Sequence, residues 1–225
     1  MRTLYLNPGI GQFDITDPQF ITVIIERKAS YWRFSQYLYD GFPDHIGLCS
    51  LTQDGKDVAI EDCSLYIENP LNLDLNTKAN LNALYKLLKK SYFDELNQSV
   101  EQIQENLNQI CQEIRLDFEA ELEMDGALRV DDVFKMGNLK FAETSESFLE
   151  RLTKYVVASK ELRKVNLVFI NHLRDYLEDE KIKDFIQELQ YRGITLVDIE
   201  TFSCENVIFD EKKLVVDQDM CVVSM

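Results

Sequence analysis

The sequence lacks the features of a membrane protein and of the common hydrolytic enzymes. Its densest apolar stretches, residues 20–25 and 165–170, are as long as strands. A membrane helix needs roughly 20 consecutive apolar residues. There are only two histidines, His45 and His172, and neither stands at a recognisable spacing from a nucleophile. We therefore interpret both as structural or surface residues and predict that the chain is not an enzyme.

A phosphate-binding loop is also missing. The apolar stretch FITVII is followed by Glu26-Arg27-Lys28, and not by the GxxxxGK[ST] pattern that cradles phosphates. The stretch VNLVFI ends in Asn171, where a nucleotide hydrolase usually carries an aspartate. ATP hydrolysis is therefore not expected.

Cysteine, glycine and proline are all scarce. The five cysteines form no CxxC pair, and no apolar signal segment is visible at the N-terminus. We expect reduced thiols and a cytoplasmic location. With 8 glycines and 4 prolines in 225 residues, long regular elements and a sizeable core can form.

The patterns that are present predict an α/β head with a long helical insertion. Strands are predicted near 4–6, 12–15, 20–26, 46–51 and 64–68, and a helix over 29–39. Farther along, strand 165–170, helix 178–191 and strand 194–199 follow a β-α-β order, which favours a parallel sheet. An edge hairpin is predicted around Glu211-Lys212-Lys213, between strands 207–209 and 214–216. The predicted head comprises 1–75 and 165–225.

Residues 76–164 are predicted to form an α-helical leg. The helical pattern begins at Asn76 and Thr77, which are good N-cap residues, and runs to about Met124 without glycine or proline. A short helix over 130–136 and a longer one over 144–163 follow. Apolar residues in the long helix recur with heptad spacing at Leu96, Val100, Ile103, Leu107, Ile110 and Ile114. We expect this seam to pack against another helix, with 144–163 as the candidate, or against another subunit.

Acidic residues are concentrated towards the end of this leg. Residues 94–132 carry twelve acidic and two basic residues, a net charge of −10 out of −16 for the whole chain. The densest part contains six carboxylates and a glycine: Glu119, Glu121, Glu123, Asp125, Gly126, Asp131 and Asp132. Acids near the carboxyl end of a helix meet the unfavourable end of its dipole, which a bound cation would offset.

The spacing of these acids overlays the calcium-loop pattern D-x-[DN]-x-[DN]-G-x5-E, with Glu121 at its first position and Asp132 at its twelfth. Two early positions carry Glu instead of Asp, and the twelfth carries the shorter Asp. Three interpretations stay open. The segment forms an EF-hand loop, a carboxylate cluster of looser geometry that binds calcium, or a solvated acidic face.

Basic residues cluster locally in spite of the negative net charge. Lys86 and Lys90 are four residues apart and share a helix face, as do Lys160 and Lys164. An acidic chain repels phosphates, but salt screens charges over about 10 Å, so a locally basic face can still hold DNA. The candidate DNA-binding residues are Lys86, Lys89, Lys90, Arg151, Lys154, Lys160, Arg163 and Lys164. Taken alone, each cluster is equally an ordinary solvated face.

Several stretches resemble the adaptation protein family of type II-A CRISPR systems. In the second half they are ELEMDGALRVDDVF (121–134), KFAET (140–144), SFLE (147–150), VNLVFIN (165–171), YLEDE (176–180) and ITLVDIE (194–200). The first half is similar more weakly, through FITVIIE and the Tyr39-Asp40-Gly41 that follows an aromatic helix.

The resemblance implies a degenerate P-loop-like head with a mainly parallel sheet and a helical leg. It implies a homotetrameric ring that binds linear double-stranded DNA by its ends, holds calcium at an acidic hinge near 119–132, and supports spacer acquisition. The calcium ligands carried over are Glu119, Glu121, Glu123, Asp125 and Asp132. Expected partners are double-stranded DNA and further copies of the chain, with the CRISPR integrase proteins and the RNA-guided effector nuclease as candidates.

Two other functions stay open on the residues alone. The heptad seam also suits a coiled-coil scaffold with no nucleic-acid role. The paired carboxylates also suit a metal-dependent nuclease, although no Lys or His stands near them to assist catalysis.

Overall fold

In a computed structural model, residues 1–6, 11–43, 47–116, 126–142, 147–202, 208 and 211–224 are described. The chain divides into two compact units. We name Met1–Asp74 with Thr144–Met225 the head unit, and Leu75–Glu143 the leg unit. No helix of the described residues combines the length and the apolarity needed to cross a membrane.

The head unit contains a six-stranded sheet that is parallel apart from one edge strand. Its order is β10 (Val222–Ser224), β9 (Glu211–Val216), β3 (Phe20–Ile25), β8 (Thr195–Glu200), β7 (Leu167–Asn171) and β6 (Ser64–Ile67). Only β10 runs antiparallel to its neighbour. β3, β7 and β8 are buried along their whole length, because both faces of the sheet are covered. β3 and β7 are almost entirely apolar, whereas β8 also buries Thr195, Asp198 and Glu200. The predicted α/β class with a mainly parallel sheet is confirmed.

Each face of this sheet has its own hydrophobic core. On one face, Val23 and Phe169 pack with helix α1 (Lys28–Tyr39) and with a small antiparallel sheet. That sheet has the order β2 (Gly11–Asp14), β1 (Arg2–Leu6), β4 (Cys49–Gln53) and β5 (Lys56–Val58). On the other face, Val168 and Leu196 pack with α5 (Phe148–Arg163) and α6 (Asp179–Tyr191). Each fully buried side chain of this kind stabilises the fold by roughly 1.5–3 kcal/mol relative to exposure.

The leg unit contains α2 (Lys78–Ser91), α3 (Phe93–Leu116) and α4 (Val130–Met136). Val100, Val130 and Phe134 form its small core, and the ring centroids of Tyr85 and Phe134 are 5.2 Å apart. The returning chain is also tied by hydrogen bonds. Gln104 Oε1 accepts from the Leu128 N–H at 2.6 Å, and the Asn76 side chain bonds both backbone groups of Phe141.

The prediction of one continuous helix from 76 to about 124 was wrong. The helix breaks at Tyr92, whose φ of −130° and ψ of 40° are not helical, and residues 117–124 lie outside the described residues. The break allows Leu88 before it and Leu96 after it to pack against the same α4 cluster. The first part of the seam is therefore covered by α4, within the leg unit. Farther along, Ile103, Ile110 and Ile114 are 37%, 51% and 43% exposed.

Two further boundaries need correction. The predicted leg extended to 164, whereas α5 belongs to the head unit, because Leu152 and Val156 are fully buried in the head core. The predicted hairpin around Glu211-Lys212-Lys213 is instead part of β9, which pairs in parallel with β3. Lys212 and Lys213 interrupt the apolar pattern as a turn would, but Lys213 is buried in the sheet. The hairpin falls one element later, between β9 and β10.

Candidate functional site

The carboxyl ends of β3, β7 and β8 meet at one edge of the large sheet, where parallel α/β proteins commonly bind ligands. The link from β3 to α1 is only Glu26 and Arg27, which leaves no room for a phosphate-binding loop. The turn after β3 is therefore not of the kind that holds nucleotide phosphates.

A chain of polar side chains occupies this edge. Tyr31, on the first turn of α1, places its hydroxyl 2.9 Å from His172 Nε2. His172 Nδ1 lies 3.0 Å from Glu200 Oε2, at the end of β8. The backbone of His172 has a φ of 52°, a left-handed conformation that a residue of this type adopts at a cost of order 1 kcal/mol. Both ring nitrogens thus have protein partners, which favours a structural role for His172, as the sequence predicted.

Deeper in the sheet, an aspartate is held away from water. Asp198 is fully buried, and its Oδ1 accepts the Leu173 N–H at 3.1 Å. Burial, reinforced by the neighbouring Glu200 charge, raises the pKa of Asp198 well above its ordinary value. Nearby, Asn171 Nδ2 donates to the Tyr66 hydroxyl at 2.6 Å, and burial raises the pKa of Tyr66 to about 12.

Arg174 joins three elements of the same region. Its guanidinium donates to Glu211 Oε1 on β9 at 2.7 Å and to Asp179 Oδ1 on α6 at 3.4 Å. The side chains of Arg174 and Glu211 are 7% and 0% exposed, so this is a buried ion pair. The sequence showed no pattern for this cluster, because its members are separated along the chain. The only available signal was that polar residues stand at or beside strand ends.

His172 is expected to titrate above its ordinary pKa. The hydrogen bond that His172 donates to Glu200 raises the pKa of His172 from 6.5, and this effect outweighs partial burial, which lowers it. A raised folded-state pKa means that the protonated form stabilises the fold. The stabilisation is complete below pH about 6.5 and is lost as the pH rises through the folded-state pKa. NMR titration of the two histidines measures it. Glu200→Gln should lower the pKa of His172, whereas Glu188→Gln on α6 should not. An unchanged pKa in Glu200→Gln contradicts the assignment.

Only one of the five predicted calcium ligands, Asp132, lies in the part of the chain that the structure describes. Glu119, Glu121, Glu123 and Asp125 lie outside the described residues. Among the residues that are described, no group of three His, Cys, Asp or Glu side chains is placed to hold a metal ion. Gly126, the predicted turn position, has a φ of +91°, a conformation that favours glycine.

The two described acids of this segment have basic partners. Asp132 Oδ2 accepts from Arg129 Nε at 3.1 Å and from the Arg129 backbone N–H at 3.2 Å, which caps the start of α4. This contact with Arg129 lowers the pKa of Asp132. Asp131 Oδ2 lies 2.7 Å from Lys89 Nζ. Asp132 is thus held against Arg129, and Asp131 against Lys89.

The predicted DNA-binding residues fall in both units. Lys86, Lys89 and Lys90 are on α2 of the leg unit, and the other five are on α5 or at its end in the head unit. Arg151 and Lys160 are nine residues apart on α5, about two and a half turns, so they point to opposite sides. Lys160 Nζ donates to the Arg192 carbonyl, and Arg163 bonds Ser159 Oγ at 3.3 Å. The α5 residues therefore do not form one basic face within the chain.

The comparisons with known proteins agree with this fold. Residues 42–220 match the family described as CRISPR-associated protein (Cas_Csn2), so the chain belongs to this family. The structure is similar to the crystal structure of Stu0660 of Streptococcus thermophilus, with a TM-score of 0.56 and 12% identity over 99% of this chain and 76% of that chain. That likeness shows the fold.

A more distant structural likeness is to the ADP conformation of MJ1267, an ATP-binding cassette of an ABC transporter. Its TM-score is 0.44, at 13% identity over 91% of this chain and 79% of that chain, which is too distant to carry an argument. No curated protein matches the chain. Membership of the Cas_Csn2 family supports a role in CRISPR adaptation.

Proposed function

We propose that the protein is a non-catalytic, calcium-dependent binder of linear double-stranded DNA ends that acts in spacer acquisition. The observation that carries this proposal is the family match over residues 42–220. The short link between β3 and α1 supports the non-catalytic part, because it lacks a phosphate-binding loop. Basic side chains would hold the ends of the duplex by their attraction to the phosphates, without recognising the base sequence.

A ring-shaped homo-oligomer, which we expect to be a tetramer, is part of the proposal. The exposed isoleucines of α3 support it, because Ile103, Ile110 and Ile114 continue the heptad seam beyond the part that α4 covers. Assembly also explains how a chain with a negative net charge can bind DNA. Arg151 and Lys160 point to opposite sides of α5, so the bases of this helix do not form one DNA-binding face, whereas several copies can turn exposed bases such as Lys86, Lys90, Arg151 and Lys164 towards a common channel.

Calcium would act at the acidic hinge. Hard divalent cations take six to eight oxygen ligands, and the carboxylates of Glu119, Glu121, Glu123 and Asp125 with Asp132 supply oxygens of the required kind. Binding of such an ion cancels local negative charge, which lowers the repulsion between the protein and phosphates. The CRISPR integrase proteins and the RNA-guided effector nuclease are the partners we propose for the assembled protein.

Retention of linear DNA is expected to exceed retention of closed DNA. One plasmid, before and after linearisation, supplies a matched pair with identical sequence and length for gel-shift titration in calcium and in chelator. We expect at least tenfold tighter binding of the linear form in calcium, a loss of this difference in chelator, and weaker binding as salt increases. Equal binding of the two forms contradicts end recognition. Shortened DNA after incubation with magnesium would instead indicate a nuclease, and no binding at all a scaffold.

A further inference from the structure

β6 forms an open edge of the six-stranded sheet. It pairs with β7 on one side and with no other strand of the described residues. The Leu167 N–H of β7 donates to the Cys63 carbonyl at 3.2 Å. Because peptide groups alternate in direction along a strand, the N–H and C=O groups of Ser64 and Tyr66 point away from β7. An edge of this kind is a template for another strand.

A groove of about 470 Å³ follows this edge, and it lies wholly within the head unit. Its floor is the continuous segment 64–68, so the strand edge runs along the groove. Tyr39 and Phe42 at the end of α1 line it from one side, and Tyr155 and Arg163 of α5 line it as well. A groove between a strand edge and flanking helices suits an extended peptide, whose backbone pairs with the strand while alternate side chains enter the groove.

One buried polar atom in the floor has no partner. Ser64 is 9% exposed, and its Oγ makes no hydrogen bond. Buried hydroxyls in folded proteins nearly always have a hydrogen-bond partner, from the protein or from water. This hydroxyl is closed to solvent, so the open edge is formed by the backbone groups of Ser64 and Tyr66 and not by the Ser64 side chain.

The charges of the groove indicate which peptide it suits. Glu61, before β6, and Glu68, after it, are exposed, and Arg163 is the one basic residue in the lining. The net charge of the lining is therefore negative, which favours a segment that carries Lys or Arg near its ends and disfavours phosphates. A second copy of β6 is also disfavoured. Antiparallel pairing would place Glu61 of each copy towards Glu68 of the other, and like charges that face each other destabilise a pair of strands.

We propose that the β6 groove binds an extended, basic segment of another protein, which adds to the sheet as a seventh strand. This interaction does not depend on DNA binding or on calcium. It would use the head unit as a docking surface for a partner protein, and it would leave the basic residues of α2 free for other contacts.

A library of random dodecapeptides displayed on phage, selected against the whole protein, tests the proposal. We expect enrichment of peptides that combine β-branched residues with Lys or Arg. The central comparison is Ser64→Pro with Ser64→Ala. Proline removes the N–H that points to the open edge and is tolerated at the first position of a strand, whereas alanine keeps that N–H. A synthetic copy of an enriched peptide should bind Ser64→Pro at least tenfold more weakly than Ser64→Ala, by fluorescence anisotropy.

Two further measurements test peptide binding at the β6 groove even if Ser64→Pro is poorly folded. Glu61→Lys with Glu68→Lys changes two exposed side chains and should weaken binding of the basic peptide at least tenfold. Hydrogen exchange should show that the peptide protects the amides of β6 and leaves those of β10, the opposite edge of the same sheet, unchanged. The proposal is overturned if no peptide is enriched, if the enriched peptides are acidic, if the double lysine variant binds as tightly as the native protein, or if β10 is protected equally.

Discussion

Arg174→Ala is expected to lower the free energy of unfolding by about 3–5 kcal/mol, because it leaves a buried carboxylate without its charged partner. The Glu211 side chain is fully buried; its Oε1 lies 2.7 Å from the Arg174 guanidinium, and its Oε2 accepts only the Ile208 N–H, at 2.8 Å, among the described residues. Removing the arginine keeps the cost of burying the charge on Glu211 and abolishes the attraction that offsets it. The contact to Asp179 on α6 is lost as well. Urea denaturation followed by circular dichroism measures the change.

The matched control is Arg192→Ala. Arg192 Nε also lies 2.7 Å from a glutamate, Glu188 Oε1, but these side chains are 39% and 40% exposed. Exposed pairs of this kind contribute about 0–1 kcal/mol, so two ion pairs of equal length should differ severalfold in effect. If Arg174→Ala is too unstable to purify, Arg174→Met combined with Glu211→Leu should recover much of the loss, since no unpaired charge stays buried. Equal effects of Arg174→Ala and Arg192→Ala would show that burial does not govern this pair.

Neutralising the acidic hinge is expected to abolish calcium-dependent retention of DNA ends. The variant carries Glu119→Gln, Glu121→Gln, Glu123→Gln and Asp125→Asn. It keeps amide oxygens but loses the charges that make the site attractive to a hard cation. We expect at least tenfold weaker retention of linear DNA in calcium and no difference between calcium and chelator. Calorimetric titration with calcium and gel shifts with linear DNA measure the two effects.

A control of equal charge makes this result decisive. Asp94→Asn, Glu101→Gln, Glu105→Gln and Glu113→Gln remove the same number and types of acid from exposed positions on α3. If acidity merely repels phosphates, both variants should bind DNA more tightly than the native protein. If the hinge holds a cation, the two variants should change binding in opposite directions. Tighter binding by both would exclude the calcium hinge.

The elements that could be predicted from sequence are those with a strong local pattern. FITVII became β3, and Val130–Met136 became α4 with the predicted bounds. Buried parallel strands need continuous apolar residues, and short helices need a capping residue and a helical spacing of apolar residues. Both patterns can be recognised within a few residues of sequence. The absence of a phosphate-binding loop after β3 could also be predicted, because that loop has a short local sequence pattern. The break at Tyr92 left no such mark, because helical propensity and the apolar period continue through it.

The candidate site was predictable only in part, and for a different reason. Acid spacing at residues 119–132 left a calcium site and a solvated acidic face both open, and the family resemblance favoured calcium. The calcium site stays a prediction, because four of its five ligands lie outside the described residues. Local spacing also placed Lys89 among the candidate DNA-binding residues, which stays a prediction, but it gave no sign that the Lys89 ammonium lies 2.7 Å from Asp131, a residue 42 positions away. Charge clusters in a sequence do not show which charges neutralise one another.

The sequence by itself determined the α/β class, most strands of the head and the concentration of negative charge, because periodicity and composition are visible within a few neighbouring residues. Only the tertiary structure decided that α5 belongs to the head unit, that Arg174 is paired with Glu211, and that β6 is an open edge beside a groove. These features depend on which residues meet across long stretches of chain, and that choice follows from the burial of apolar surface over the whole unit.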